Sequence, residues 1–464
     1  MVFSSLLFLW LFLPVVVAGY YIVPSKCKNI LLLISSLLFY AWGEPVYILL
    51  MLFSIFFNWG TGLLIDRFRK IDGILLAVNV VGNLALLGFF KYYDFFIGLV
   101  NSCFKTTFPE KNIPLPIGIS FFTFQILSYV IDLYRGRYPV QKNILNLALY
   151  ISFFPQLIAG PIVRYAEIAP QLDSRQTTLE DVSSGACRFV IGLSKKVLLA
   201  NVLYELITAF QQSRDLSVLY FWLYAVSFAL QLYFDFSGYS DMAIGLGRIF
   251  GFRFSENFNY PYISASITEF WRRWHISLGS WFRDYVYIPL GGNRVSKAKW
   301  LRNILVVWML TGLWHGASWN FVLWGLGFAV LLVAEKLTYG RLLQRTHVLK
   351  HVYTLLLVTL SFVLFNADSV SEAVSQLGAM FGAGGLPLVS TEGVYYLKSY
   401  AGTFLFAAIG ATPLVSNAIS RFGKTRFGAQ ALTVLQPLVM LALLAACTAF
   451  LVDGSFNPFL YFRF

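Results

Sequence analysis

Two neighbouring stretches decide the fold: WRRWHISLGSWFRDYVYIPLGGNR at residues 271–294 and, after a short basic loop, an apolar run that reaches TGLWHGASWN at 311–320. The chain has four histidines, and His275 and His315 both fall here. His275 lies among arginines and tryptophans, a mixture suited to a membrane surface, where amphipathic rings rest at headgroup level. His315 lies in a segment apolar enough to enter lipid. An ionisable group at that depth is costly to bury and marks a functional site by default.

Working outward, the composition agrees. Hydrophobic residues make up 58% and charged residues 12%, with a mean hydropathy of +0.69. A water-soluble shell needs roughly 25% charged residues, whereas a bilayer crossing takes about 20 mostly apolar ones, and such runs recur along the chain. They are continuous and do not alternate, which excludes a β-barrel. The expected fold is an all-α polytopic membrane protein. The net charge of +13 is gathered in short loops, as positive-inside topology requires. With no basic domain outside the apolar runs, nucleic acid is not a partner. Cys27, Cys103, Cys187 and Cys447 form no CxxC pair, so neither zinc nor a disulfide framework is expected.

In chain order, Met1 to Val23 reads as a retained first transmembrane helix, since it has neither a basic leader nor a small-residue cleavage site. Asn29 to Trp42 and Val46 to Ile65 follow, divided by the helix breaker Gly43-Glu44-Pro45. Asp66 to Lys70 is a basic loop, hence cytoplasmic. Ile74 to Phe90 spans again, Asn101 to Pro114 is a polar connection, and Pro116 opens another membrane run. Leu145 to Pro161 contains Pro155, Gly160 and Pro161 and reads as kinked or re-entrant. Arg164 to Asp181 is amphipathic and surface-lying. Gly185 to Phe210 and Tyr220 to Phe250 return to the membrane, as do Phe321 to Val333, Tyr353 to Phe365, Tyr400 to Val415 and Ala431 to Val452. The count is about ten to twelve membrane or re-entrant segments, in a single integral domain over residues 1–464.

On a helix, Thr311 and Trp319 share the face of His315, and Gly316 lets a substrate or another helix come close to the ring. Apolar surroundings keep the imidazole neutral and able to accept a proton, which a general base for a hydroxyl nucleophile requires. A hydrogen-bonded core histidine or a haem ligand fits the residue alone equally well. Arg272 and His275 are three apart and can line one helix face, while Trp271 and Trp274 suit an interface. From Trp271 to Arg302, five Arg and two Lys stand against one Asp. This is a patch for an anionic donor at the mouth of a site, or a set of snorkelling anchors. Asp235 and Asp241 can orient a histidine or a hydroxyl, or pair with Arg248 or Arg253. Asn257 and Asn259 can bind a polar substrate or cap a turn. P-loop, GxSxG and HExxH motifs are absent. His347 and His351 are two ligands without a third and do not make a metal site.

These residues stand in blocks that resemble the membrane-bound O-acyltransferases, in particular their bacterial alginate O-acetyltransferase group. The blocks are PIGISFFTFQILSYVIDLYRG from Pro116, FFPQLIAGPIVRY from Phe153, YFDFSGYSDMAIG from Tyr233, ENFNYPY from Glu256, WRRWHISLGSWFRDYVYIPLGGNR from Trp271 and LTGLWHGASWNFVLWG from Leu310. They cover roughly residues 110 to 330, flanked by membrane helices over 1–109 and 331–464.

The resemblance implies that His315 is the catalytic histidine and His275 the second histidine of the site, in a fold of tilted helices around a central pore or funnel. Trp271, Arg272, Arg273, Trp274, Trp314, Asn257, Asn259, Asp235 and Asp241 are the expected substrate-binding residues. No cofactor or metal is expected to be bound, and acetyl-CoA is the expected acyl donor. The implied setting is a bacterial inner membrane. There an extracytoplasmic partner protein would pass the acetyl group to an exported polysaccharide such as alginate or cellulose. D-Alanyl transfer to teichoic acid is the rival within the superfamily. A glycan transporter, a flippase or a structural export subunit is the rival from another class.

Overall fold

A computed structural model describes residues 2–158 and 160–454; Met1, Ala159 and 455–464 lie outside them. Every regular element among the described residues is helical, because lipid offers the backbone no water and a helix satisfies its own amides. The helices used below are α1 (Leu13–Ile22), α2 (Lys28–Gly43), α3 (Ile48–Arg67), α4 (Asp72–Phe104), α5 (Ile119–Tyr134), α6 (Ile144–Ser152), α7 (Tyr165–Asp173), α8 (Leu179–Ser194) and α9 (Val202–Gln212). They continue as α10 (Val218–Ile249), α11 (Ile267–Arg273), α12 (Ile276–Phe282), α13 (Lys297–His315), α14 (Trp319–Leu337), α15 (Leu349–Asn366), α16 (Ala401–Gly410), α17 (Leu414–Gly423) and α18 (Arg426–Asp453).

Six of these, α3, α4, α10, α14, α15 and α18, are long and apolar enough to cross a membrane, and α16 with α17 forms an apolar pair bent by 60°, a broken span or a re-entrant loop. Of the remaining expected segments, Phe8–Ile22 and Ile119–Tyr134 are shorter apolar helices, whereas Gly185 to Phe210 lies in an unbroken helical run, α8 continuing through the π-helical Lys195–Asn201 into α9. Pro155 and its neighbours divide one run into α6 and the single turn Phe154–Leu157. α13 begins with Lys297, Lys299 and Arg302, which belong at a polar surface. α4 is longer than the sequence implied, running to Phe104 before Lys105 ends it in a left-handed conformation. The chain is a multi-pass membrane protein.

The residues form two compact units. In the first, Met1–Phe189 with Ser240–Glu256, α3 and α4 are joined by buried amides. Asn79 and Asn83 donate to Asn58 Oδ1 at 2.7 and 2.9 Å, and Asn58 returns a bond to Asn83 Oδ1 at 3.1 Å. Such interhelical bonds hold membrane helices at about 0.6 kcal/mol each. In the same unit α8 crosses α10 at Gly185 and Gly245. A methyl on Gly185 would reach the Gly245 carbonyl oxygen at 2.7 Å, and one on Gly245 would reach that of Gly185 at 2.5 Å. Only glycines allow this backbone contact, which accounts for the last glycine of YFDFSGYSDMAIG.

The second unit, Val190–Tyr239 with Asn257–Phe464, contains both histidine segments, 271–294 and 311–320. Its core gathers Tyr233, Phe270, Trp274, Trp324, Phe328 and Phe362, all buried.

Candidate functional site

The expected continuous helix through WRRWHISLGSWF does not form. α11 stops at Arg273, α12 starts at Ile276, and His275 between them adopts the left-handed φ 46°, ψ 54°. Arg272 and His275 therefore do not line one helix face. For a residue with a Cβ this conformation costs about 1–2 kcal/mol, so the surroundings must impose it. Residues 257–259 do so. Asn259 N–H donates to Arg273 O, and Ile276 N–H to Asn257 O, both at 2.9 Å.

Asn257 also fixes the chemistry of the ring. Its Oδ1 accepts from Ser277 N–H at 3.2 Å and from Ser277 Oγ at 2.8 Å, and meets His275 Nδ1 at 3.1 Å. A backbone N–H can only donate, so the amide atom is the oxygen and His275 Nδ1 carries the proton. In the neutral ring Nε2 is then the basic nitrogen. His275 is 2% exposed, with the Phe236 ring 4.7 Å away. Burial holds the imidazole well below the usual histidine range, and the charge of His315 pushes the same way.

His315 is the last residue of α13 and is buried against the rings of Trp314, Trp324 and Phe365, at 5.0, 5.2 and 5.3 Å. Thr311 precedes it by one turn on the same helix. Trp319 does not share that face, because the helix ends at His315 and Trp319 opens α14, 54% exposed. Beside the histidine, Gly316 is extended, and the Phe321 ring occupies the place where a Cβ would stand. The glycine thus admits a ring of the next helix rather than a substrate. Trp314 joins the pair, its ring 5.8 Å from that of His275.

Each histidine borders its own space. A cavity of about 520 Å³ is lined by His275, Trp271, Arg272, Trp274, Arg283 and Thr311 among others. His315 borders a second space of about 20 Å³ with Phe236, Trp274, Trp324 and Phe365, room for roughly one water. Trp274 lines both. The indole nitrogens of Trp271 and Trp324 are buried and have no acceptor among the described residues, although a buried N–H without one costs about 1–3 kcal/mol. Arg272 is exposed at the rim of the larger cavity, and no described carboxylate pairs with it.

The family model of the membrane-bound O-acyltransferases matches residues 119–370, both histidine segments included. The chain belongs to this family. As an O-acyltransferase it is similar to the probable alginate O-acetylase AlgI of Azotobacter vinelandii, 38% identical over the whole of both chains. Its AlgI counterpart in Pseudomonas aeruginosa is 44% identical over 83% of this chain and 75% of that protein. A peptidoglycan O-acetyltransferase of Helicobacter pylori is 36% identical over 84% and 81%.

Other residues singled out in the acyltransferase sequence take different places. Asp235 does not pair with Arg248 or Arg253. It forms an ion pair with Lys196 at 2.6 Å, both side chains only 2% exposed, and borders neither cavity. Asp241, in the first unit, pairs with Arg188 at 2.8 Å, and Arg188 also grips Glu256. Arg273 is bound to Glu269 at 2.9 Å and to Asn259 O at 3.1 Å, and lines neither cavity. Exposed Asn259 contributes its backbone to the His275 turn. His351 Nδ1 meets Ser264 O at 3.2 Å.

One important residue escaped the sequence reading. Glu335, 7% exposed near the end of α14, accepts from Ile267 N–H at 2.8 Å and from Thr268 N–H and Oγ1 at 3.3 and 2.8 Å. Its carboxylate caps the start of α11, whose other end leads into His275, where negative charge complements the helix dipole. A carboxylate two residues beyond the apolar run ending at Val333 was the available signal.

Proposed function

We propose that this O-acyltransferase moves an acetyl group from a cytoplasmic thioester, acetyl-CoA, toward hydroxyls of a polysaccharide exported across a bacterial inner membrane. A separate extracytoplasmic partner protein would complete the transfer. The observation that carries the reading is the buried pair His275 and His315, bridged by Trp314, with His275 bordering the cavity whose rim bears Arg272 and His315 the small space beside Trp274. His315 accepts the hydroxyl proton while that oxygen bonds to the thioester carbonyl carbon. The C–S bond breaks, and the proton passes to the leaving thiolate. The indole N–H groups of Trp271 and Trp324 supply hydrogen bonds as charge develops on the carbonyl oxygen, and His275, basic at Nε2, relays the proton. Arg272 steers the donor phosphates. The acetyl group is favoured over D-alanine because the relatives described above are named for O-acetylation.

The test is polymer-linked acetate in cells carrying His315→Ala, with the protein's membrane level measured alongside. Loss of acetate at an unchanged protein level is expected. Unchanged acetate would refute the role of His315 and favour a transporter or scaffold. Polymer-linked D-alanine that disappears in the variant would reassign the acyl group.

A further inference from the structure

In the unit formed by Met1–Phe189 and Ser240–Glu256, a cavity of about 490 Å³ opens beside the starts of α2 and α6 and the chain leaving α7. Lys26, Lys28 and Arg175 line it, with the amides of Asn29, Asn143 and Asn146 and a single carboxylate, Asp173. No described carboxylate lies within 4.0 Å of any of the three cations.

Neutral groups hold Arg175. Its Nε donates to Tyr20 Oη at 3.1 Å and to Phe250 O at 3.0 Å, and Nη1 donates to Asn29 Oδ1 at 2.7 Å. Lys28 stands over the Tyr20 ring at 4.5 Å. The amide oxygens are turned into the protein: Asn29 and Asn146 use theirs on Arg175 and on Asn29 Nδ2, and Asn143 caps α6 through Leu145 N–H at 2.9 Å. The Asn143 amide nitrogen remains as a donor. Asp173 receives one long bond, from Asn146 at 3.4 Å.

Three cations beside one carboxylate give the cavity an excess of positive charge that attracts an anion. Two lysine ammonium groups and the Asn143 amide nitrogen, backed by the charge of the inward-held Arg175, are donors suited to phosphate. The edge of the cavity is apolar, since Ile30 and Leu145 line it and are each 43% exposed. Basic pockets of membrane proteins with such edges take lipid headgroups.

We infer that this cavity binds a phosphate group, presented as the phosphodiester of an anionic membrane lipid whose acyl chains lie along Ile30 and Leu145. The site lies apart from both histidines in sequence and uses no residue of the acyl-transfer reaction proposed above.

The test uses the full chain in bilayer discs of phosphatidylcholine containing phosphatidylglycerol, with the lipid retained after extraction read by native mass spectrometry. Arg175 also braces the protein, so the variants are Lys26→Gln/Lys28→Gln and the charge-keeping Lys26→Arg/Lys28→Arg. Removing two cations should weaken phosphatidylglycerol retention by about thirtyfold, and the arginine pair should restore it. Inorganic phosphate at millimolar concentration separates the sources. If it displaces the lipid, the cavity takes phosphate itself; if it does not, recognition includes the lipid chains, and either result supports the inference. Equal retention of phosphatidylcholine and phosphatidylglycerol by the wild type, or full retention by the glutamine pair, would overturn it. The acyltransferase activity of both variants should match the wild type, which separates this inference from the reading of the histidines.

Discussion

Asn257→Ala is the most informative single change. It removes the one oxygen on which Ser277 N–H, Ser277 Oγ and His275 Nδ1 converge. The hydroxyl can turn to another acceptor and Nδ1–H keeps only Ser277 Oγ, at 3.4 Å, but Ser277 N–H loses its acceptor. Each buried donor without an acceptor costs about 1–3 kcal/mol, and a water entering the vacated space recovers part, so about 2–3 kcal/mol of stability should be lost. The ring then takes either tautomer, and the left-handed turn at His275 loses a brace. We expect kcat to fall by about 10- to 100-fold, equivalent to roughly 1.4–2.8 kcal/mol, with the KM for the donor changing less.

Asn257→Asp keeps the acceptor and adds charge. His275 lies well below the usual histidine range in the wild type. Its folded form therefore stays neutral where the unfolded chain takes up a proton. Its contribution favours the fold above about pH 6.5 and is lost as the pH falls from there toward the folded value. An aspartate would stabilise the imidazolium, so the acid limb of the rate profile should move to higher pH. The assay is acyl transfer to a small hydroxyl acceptor by membranes across pH 5–8, with thermal melting alongside. Wild-type kcat in Asn257→Ala, or an unmoved acid limb in Asn257→Asp, would refute the assigned tautomer.

Three further outcomes follow from the geometry. Glu335→Ala should destabilise α11 by about 1–3 kcal/mol and lower kcat, while Glu335→Gln should retain part of both; equal melting temperatures for all three proteins would remove Glu335 from the positioning of His275. Lys196→Ala leaves Asp235 charged and buried, which should cost about 3–5 kcal/mol, and Lys196→Met/Asp235→Leu should recover much of it, as membrane level and melting will report. Arg272→Gln should raise the KM for the thioester donor about tenfold with kcat little changed, whereas Arg273→Gln should act mainly on stability.

The sequence reading was most successful where the signal is local. Apolar runs marked the spans, and Gly43-Glu44-Pro45 and Pro155 marked breaks that the chain makes. It failed where a distant residue decides the local shape. Nothing in WRRWHISLGSWF announces the turn at His275, because Asn257 imposes it from another segment. Asp235 and Asp241 were assigned to the nearest arginines in the sequence. Their partners, Lys196 between α8 and α9 and Arg188 in α8, arrive through helix packing. Trp319 fell off the expected face for a similar reason, since helical spacing ends where the helix ends.

The amides shared by α3 and α4 have a consequence for biosynthesis. Asn58 leaves the ribosome before Asn79 and Asn83, and in isolation each helix would carry amides into hydrocarbon with bonds only to its own residues, as Asn58 makes to Ser54 O and Asn83 to Asn79. The two segments therefore gain most by entering the bilayer as a ready-made hairpin. A nascent chain arrested just after Arg67 should linger at the translocon, and release into lipid should await the emergence of Asn79 and Asn83.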